Sequence, residues 1–511
     1  MSKNRFSGIG LSITLLAGTY CYSTATSLKL KKTNNQKARN VIFILSDDHR
    51  YDFFGFTGKI PWLKTPNLDK LATEGAHLQN AFCTTSLSSP SRASILTGLY
   101  AHQHEVVDNY EPVRQDLIFF PQYLQQAGYQ TAFFGKFHIG HDTDEPQRGF
   151  NHWESFMGQG VYYNPTLNIN GQKVTYSDST YITNLLTEHT IDWIKNRTQK
   201  QPFFLYLSHK AVHHEWKASQ KNIGLYKYEI VPESASMNQY ISEKADDPKR
   251  HEQKQGKDYY GENAIPDWVK SRAYSWHGAL LSRSEYEDIF RRYCETLTSM
   301  DESIGELMNF LKKSGLDKET VIIYMGDNGH SMGEHGLMDK RHFYEESVRV
   351  PLIAYCPDII KPATKVDKIV LNVDIAPTIL DFAGLKKPNY MVGASFMNLI
   401  KGKNVKKWRD KFFYEYYWEF QYPNTPTIFG VRTDRYKYIY NQGVWDANEL
   451  YDLKTDPNEV NNLIFNVKYD SLGISMKNDL FQWLKQTGGD KIPMRKGPEK
   501  RSGDHRTNGM Y

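Results

Sequence analysis

Two acidic pairs lie far apart in the chain, Asp47-Asp48 and Asp327-Asn328, and each follows a short apolar run. Together they offer only oxygen donors, and hard oxygen ligands select Ca2+ or Mg2+ over zinc. Carboxylates gathered in a buried site without a cation would repel one another. A second set is cationic: Arg92, Lys136, His138, His213 and Lys340. Around a metal these would supply the donors that a tetrahedral anion needs on each oxygen. Lys136 and His138 stand two apart at the exit of an apolar run and can address one ligand. His214 directly follows His213. His102, His104, His141 and His342 read as ordinary hydrogen-bonded histidines. Between the acidic pairs runs Ser88-Ser89-Pro90-Ser91-Arg92-Ala93-Ser94-Ile95-Leu96-Thr97-Gly98. Pro90 suits the first turn of a helix and Gly98 its stop. Ser88 then stands at a helix N-terminus, where free N–H groups favour an anion. It is either a capping serine or a serine nucleophile.

The elements that must position these groups are legible. Val41 to Leu45, Thr131 to Phe134, Phe203 to Leu207 and Val321 to Met325 are short runs that are β-branched or rich in aromatics, as buried strands are. Each ends at a polar cluster: Ser46-Asp47-Asp48-His49, Gly135-Lys136-Phe137-His138, Ser208 through His214, and Gly326 through His330. Helical spacing falls between them, in Leu185, Leu186, His189 and Trp193, and again from Ile289 to Leu311. Alternating strands and helices predict an α/β fold around a largely parallel sheet. Parallel strands would bring the four clusters to one edge, where open α/β sheets bind ligands. The stretch 216–284 is polar and aperiodic, a long excursion able to shape a pocket mouth. The spans 38–386 and 387–490 read as a catalytic domain and a smaller antiparallel-sheet subdomain. In the latter, Lys411 to Phe420 and Thr427 to Tyr440 look strand-like, and a helix is expected near Leu472 to Gln486.

Composition excludes several classes. The 511 residues carry a formal net charge of +5, with Lys+Arg 63 against Asp+Glu 58, so no nucleic-acid footprint is expected. Lys3 and Arg5, the apolar run Ile9 to Ala17 and the small residues to Ser27 have the order of an export signal over 1–27. That run is too short to span a bilayer, and no later one is long enough, so no transmembrane segment is expected. The expected location is periplasmic or secreted, with Cys21 leaving a cell-surface lipoprotein open. Cys83, Cys294 and Cys356 read as small buried side chains. The stretch 491–511 is a loose basic tail.

With these residues in view, the chain resembles the type I sulfatases of the alkaline-phosphatase-like superfamily. Their signature is Cys or Ser, any residue, Pro, Ser, Arg, then a run ending in Thr-Gly, and it stands here as Ser88 through Gly98. The resemblance extends through Asp47-Asp48, Gly135 to His138, Asp327-Asn328-Gly329, Lys340 with Tyr344-Glu345, Val431 to Tyr438 and Glu449 to Leu453. It implies a central mixed, largely parallel sheet flanked by helices, with the C-terminal antiparallel-sheet subdomain. It implies that Ser88 is oxidised to formylglycine by a separate maturase for serine-type sulfatases. It implies one Ca2+ held by Asp47, Asp48, Asp327 and Asn328 with residue 88. Arg92 and Lys136 match residues that hold the formylglycine hydrate, and His138, His213 and Lys340 match sulfate-binding and proton-transfer residues. Val212 stands where the family usually has Pro before the histidine, which leaves both His213 and His214 as candidates. One hydroxyl of the hydrate would attack sulfur, and deprotonation of the other, with His138 as base, would expel sulfate. His213 or Lys340 would protonate the leaving alkoxide.

Asp339-Lys340-Arg341, Trp268 with Ser275-Trp276-His277-Gly278, and Arg291-Arg292-Tyr293 resemble bacterial sulfatases of N-acetylglucosamine 6-sulfate. Similar enzymes act on algal polysaccharides such as ulvan or carrageenan. The expected substrate is a sulfated carbohydrate, with the 216–284 loops and Phe412 to Phe420 lining its subsites. The rival readings are a phosphoester or phosphonate hydrolase of the same superfamily and a carbohydrate-binding pseudoenzyme with unmodified Ser88.

Overall fold

The computed structural model describes residues 30–32, 38–140, 143–197, 201–237, 265–272, 275–276, 279–280, 282–443 and 446–491. The expected export signal over 1–27, Cys21, His141, His277-Gly278, residues 492–511 and much of the 216–284 excursion lie outside these residues. In chain order the strands are β1 (Asn40–Ser46), β2 (Ala76–Leu78), β3 (Ala81–Phe82), β4 (Gln130–Gly135), β5 (His152–Ser155), β6 (Thr166–Ile169), β7 (Gln172–Thr175), β8 (Phe203–Ser208), β9 (Ser275–Trp276), β10 (Ala279–Leu280), β11 (Thr320–Gly326), β12 (Leu352–Tyr355), β13 (Thr364–Val366), β14 (Val370–Leu371), β15 (Lys411–Tyr416), β16 (Thr427–Thr433), β17 (Tyr436–Gln442) and β18 (Glu449–Asp452).

Ten of them form one sheet in the order β13-β2-β12-β11-β1-β8-β4-β5-β6-β7. The four runs read as buried strands are its four adjacent central strands, β11, β1, β8 and β4, all parallel. On the flanks, β12 pairs antiparallel with β11, and β6 pairs antiparallel with β5. Register aligns the strand ends: Ser46 pairs with Gly326, Leu45 with Ser208, and Gly135 with Ser208. At Gly135 (φ 110°) a Cβ would lie 1.9 Å from the Ser208 carbonyl oxygen, so this close approach demands glycine.

Alternation builds two core layers. Val41, Phe43 and Leu45 face one layer with Val321, Ile323 and the helices Ser88–Thr97 and Ile375–Phe382. Ile42 and Ile44 face the other with Ile322, Tyr324 and the helices Ile182–Asn196 and Arg283–Lys313. The latter helix starts at a capping box, in which the Ser282 hydroxyl accepts from the Glu285 N–H and the Glu285 carboxylate from the Ser282 N–H. Its Leu297, Met300, Ile304 and Leu307 are fully buried, and each contributes about 1.5–3 kcal/mol of burial.

The C-terminal part is a four-stranded antiparallel sheet, β15-β16-β17-β18, covered by the helix Asp470–Thr487. Two expectations need correction. The run Thr427 to Tyr440 is not one strand but the hairpin β16–β17, because the Thr433 hydroxyl accepts the N–H groups of Arg435 and Tyr436 and closes a turn. The first part of the aromatic run, Phe412 to Tyr416, does not line a mouth. Strand alternation turns Phe412, Tyr414 and Tyr416 into the core, and Tyr414 stacks on Phe343 at 4.5 Å between centroids.

Candidate functional site

The carboxyl ends of the central strands deliver the expected residues to one place. Backbone bonds lock the turns together: the Asp47 N–H donates to the Ala211 carbonyl at 3.0 Å and the Asp327 N–H to the Ser46 carbonyl at 3.0 Å. Asp48 adopts φ 60°, a left-handed conformation that a short polar side chain tolerates. The Tyr293 hydroxyl donates to the Asp48 carbonyl at 2.8 Å, so the long helix also fixes this turn.

Ser88 is buried as the first residue of its helix. It is not the capping residue: Leu87 holds that position, and its side chain makes no capping bond. Gly98 ends the helix at φ 69°, donating to the Ser94 carbonyl at 2.9 Å. The Ser88 hydroxyl donates to Asp47 Oδ1 at 3.2 Å, and Lys340 Nζ donates to it at 3.2 Å. Lys136 pairs with Asp47 and Lys340 with Asp48. Arg92 reaches Asp327 Oδ2 through Nη2 at 2.9 Å and Nε at 3.0 Å, and donates through Nη1 to the Lys136 carbonyl and the Ser208 hydroxyl, both at 2.7 Å. Asn328 Nδ2 donates to Asp48 Oδ1 at 2.6 Å.

The charges are ordered by these contacts. Burial works to raise the Asp47 carboxyl, but Lys136, with Arg92 and Lys340, outweighs it and holds it well below the usual range. Burial, with Asp47 and Asp48 nearby, pushes Asp327 up to about 6 against the pull of Arg92. Burial also raises Asp48, against Lys340. Burial lowers Lys136 to about 8, while Asp48, Asp47 and Asp327 overcome burial to raise Lys340. A divalent cation fits this donor set. Asp47, Asp48, Asp327 and Asn328 present hard oxygens, and the buried Asn328 Oδ1 has no hydrogen-bond donor among the described residues. Three carboxylates balance Arg92, Lys136 and Lys340, so a bound divalent ion would leave the site net positive toward an anion.

The two histidine candidates separate. His213 Nε2 lies 3.8 Å from Asp48 Oδ2, and its ligand atom falls within 4.8 Å of those of Asp47 and Asp48. Burial and Lys136 hold its imidazole neutral, far below the usual histidine range. The His214 ring lies against Trp216, while its carbonyl accepts from Lys210 Nζ at 3.1 Å. His138 is buried beside Ser89, whose hydroxyl donates to the His138 carbonyl and lies 3.4 Å from Nδ1. The histidines read as ordinary include His102, which pairs with Glu415, and His342, bonded to the Ser331 hydroxyl at 3.1 Å.

Two residues escaped the sequence reading. Gln159 Oε1 accepts from Lys136 Nζ at 2.5 Å, and Lys210 Nζ donates to the Gln159 carbonyl at 3.1 Å. Lys210 sits in the polar cluster after β8 and could have been picked out there. Gln159 lies in the glycine-flanked loop Gly158-Gln159-Gly160, which carries no chemical signature.

Comparisons with known proteins agree with this geometry. A family model described as Sulfatase matches residues 39–385, and one described as N-sulphoglucosamine sulphohydrolase, C-terminal, matches 333–486. The chain is 33% identical to an N-acetylglucosamine-6-O-sulfatase of Bacteroides thetaiotaomicron over 93% of this chain and 90% of that one. It is 28% identical to the N-acetylglucosamine-6-sulfatase of Capra hircus, over 85% and 81%. A structure solved with its substrate D-glucosamine-2-N,6-O-disulfate superposes with TM-score 0.77 at 31% identity, covering 90% of this chain and all of that one.

Proposed function

The chain belongs to the sulfatase family and is a sulfuric ester hydrolase, and from that premise we propose that it removes a 6-O-sulfate from an N-acetylglucosamine-type sugar, outside the cytoplasm, with formylglycine at position 88 and one Ca2+. The observation that carries the reading is the place of Ser88: buried, at a helix N-terminus, 3.2 Å from both Asp47 Oδ1 and Lys340 Nζ. The substrate reading is supported by what the relatives above act on.

Asp47, Asp48, Asp327 and Asn328 would hold the cation. When present, Ca2+ polarises sulfuryl oxygens, and the hydrated formylglycine supplies one hydroxyl to attack sulfur and a second whose deprotonation lets sulfate leave. Arg92 holds Asp327 and Asp47 in place. Lys340 sets positive charge 3.2 Å from the Ser88 hydroxyl and Lys136 sets it on Asp47, to which that hydroxyl donates, so both offset charge developing on the sulfuryl group. Lys340 carries a proton at neutral pH and can donate it to the leaving sugar oxygen. His213, held neutral by burial and Lys136, can donate a ring N–H to the arriving ester. His138, beside Ser89, is the base for the second hydroxyl.

The test is direct. The peptide holding Ser88 should be lighter than its serine form by about two hydrogens. Sulfate release from N-acetylglucosamine 6-sulfate should exceed phosphate release from the matching phosphate ester. An unmodified Ser88 supports the carbohydrate-binding reading instead, and equal or faster phosphate turnover supports the phosphoester hydrolase.

A further inference from the structure

The segment Asp267–Arg272 belongs to the long excursion, yet it is pinned at both ends to other parts of the molecule. At its start, the Asp446 carboxylate accepts the backbone N–H groups of Asp267 at 2.8 Å and Trp268 at 3.1 Å. Asp446 lies in the connection between β17 and β18 of the C-terminal sheet. At the other end, Arg272 donates to the Thr425 hydroxyl at 2.7 Å and pairs with Asp339. Asp339 directly precedes Lys340, whose ammonium lies 3.2 Å from the Ser88 hydroxyl. Between the two pins, Trp268 and Val269 are buried in the main core, and the Trp268 ring lies 6.4 Å from His342. Asp339 is shared, since Arg341 Nη1 donates to it at 2.9 Å. Burial opposes ionisation of Asp339, but Arg341 and Arg272 together hold it well below the usual carboxylate range.

A six-residue helix has little stability of its own, so its position is set by these contacts. We propose that Asp446 and Arg272 are positioning residues for sugar recognition: by clamping the helix Asp267–Arg272 against Asp339, they set the wall that the sugar ring meets beside Lys340. The C-terminal sheet would thus contribute to specificity without touching the sulfate. Sulfuryl transfer depends on groups around Ser88 that neither residue contacts. The clamp therefore affects how a sugar is held and leaves intact how an ester is cleaved. This rests on the sulfated-sugar reading above.

The test compares Asp446→Ala, Arg272→Ala and Arg272→Lys with the wild type on two substrates. One is N-acetylglucosamine 6-sulfate and the other 4-nitrophenyl sulfate, which has no sugar hydroxyls. KM for the sugar should rise about tenfold in each alanine variant, as the loss of one well-placed contact gives, with kcat changed less than about twofold. Both constants for the aryl ester should stay within about twofold of wild type. Arg272→Lys keeps the charge and should fall between. Equal losses on both substrates, or no change on either, would overturn the proposal. A wild-type enzyme inactive on N-acetylglucosamine 6-sulfate would overturn the substrate reading alone. The same comparison then runs on the sulfated sugar that it cleaves, with the same expected split between sugar and aryl ester.

Discussion

Asp48 donates its backbone N–H to Asp327 Oδ1 at 3.0 Å, which ties the turn after β1 to the turn after β11. That bond brings two carboxylates of distant sequence within reach of one ion. Removing the ion should leave them repelling each other in a buried site. Treatment with EGTA is expected to suppress sulfate release and lower the unfolding temperature, and added Ca2+ to restore both. At free Ca2+ near 100 times Kd, binding contributes about 2.7 kcal/mol of stability. Unchanged activity and unfolding temperature after exhaustive chelation would count against a metal held here.

Arg92 is buried and has contacts on Asp327, Asp47, Ser208 and the Lys136 carbonyl. Arg92→Ala leaves Asp327 buried without its main partner, which should cost about 3–5 kcal/mol by urea unfolding, besides the loss of activity. Arg92→Lys keeps the charge but cannot span these positions from one ammonium, so it should recover part of the stability and little turnover. A near-neutral Arg92→Ala would show that Asp327 does not depend on this pair.

The central sheet was legible because buried parallel strands are continuous apolar runs, and each of the four ends at a polar cluster. The aspartates, Asn328 and Lys136 stood out for the same reason, since charged and polar residues gather at these strand ends, whereas Arg92 in its helix and Lys340 in its loop stood out through the resemblance of their segments. The β15 part of the aromatic segment misled because its side chains look alike whichever face they take, and only pairing with β16 decides that Phe412, Tyr414 and Tyr416 point inward. Gln159 and Asp446 were invisible. Each acts through a contact whose partner is distant in sequence, and neither lies in a periodic or charged pattern. That the His213 ring lies by Asp48 and the His214 ring against Trp216 needed the backbone, since adjacent residues point in different directions.

Away from the site, Glu154 bridges two histidines: Oε1 lies 2.7 Å from His152 Nε2 and Oε2 2.6 Å from His189 Nδ1. The hydrogen bond to Glu154 raises the His189 pKa above its usual value, against burial. A raised folded-state pKa adds stability that is complete below the unfolded value of about 6.5 and fades as pH rises through the folded value. Glu154 has the opposite sense. Burial works to raise it, but hydrogen bonds from His152 and His189 lower it, so its share is lost as pH falls through its folded value. His189→Gln is therefore expected to lower the unfolding temperature more at pH 5.5 than at pH 8.5. An equal effect at both values would mean that the pair is not charged.

Lys437 is the last test, because it joins the C-terminal sheet to the segment that follows Lys340. Its ammonium is fully buried, donates to the Phe343 carbonyl at 2.7 Å, and pairs with Glu345 at 2.9 Å and Glu459 at 2.7 Å. Arg432 adds two bonds to Glu345, at 2.9 and 3.1 Å. Burial lifts Glu459 to about 7 against the pull of Lys437, whereas Arg432 and Lys437 outweigh burial to keep Glu345 well below the usual range. Lys437→Met removes one cation and leaves two carboxylates, which should cost about 3–5 kcal/mol in urea unfolding. Glu345 keeps Arg432, so Glu459 is the carboxylate that loses its cation; adding Glu459→Gln removes it, and the double variant should be more stable than Lys437→Met alone. The coupling between the two sites should then fall within about 0.5–3 kcal/mol. Additive effects would mean that Lys437 and Glu459 act independently, and that the sheet is held against the Tyr344-Glu345 segment by apolar packing such as Phe343 on Tyr414 instead.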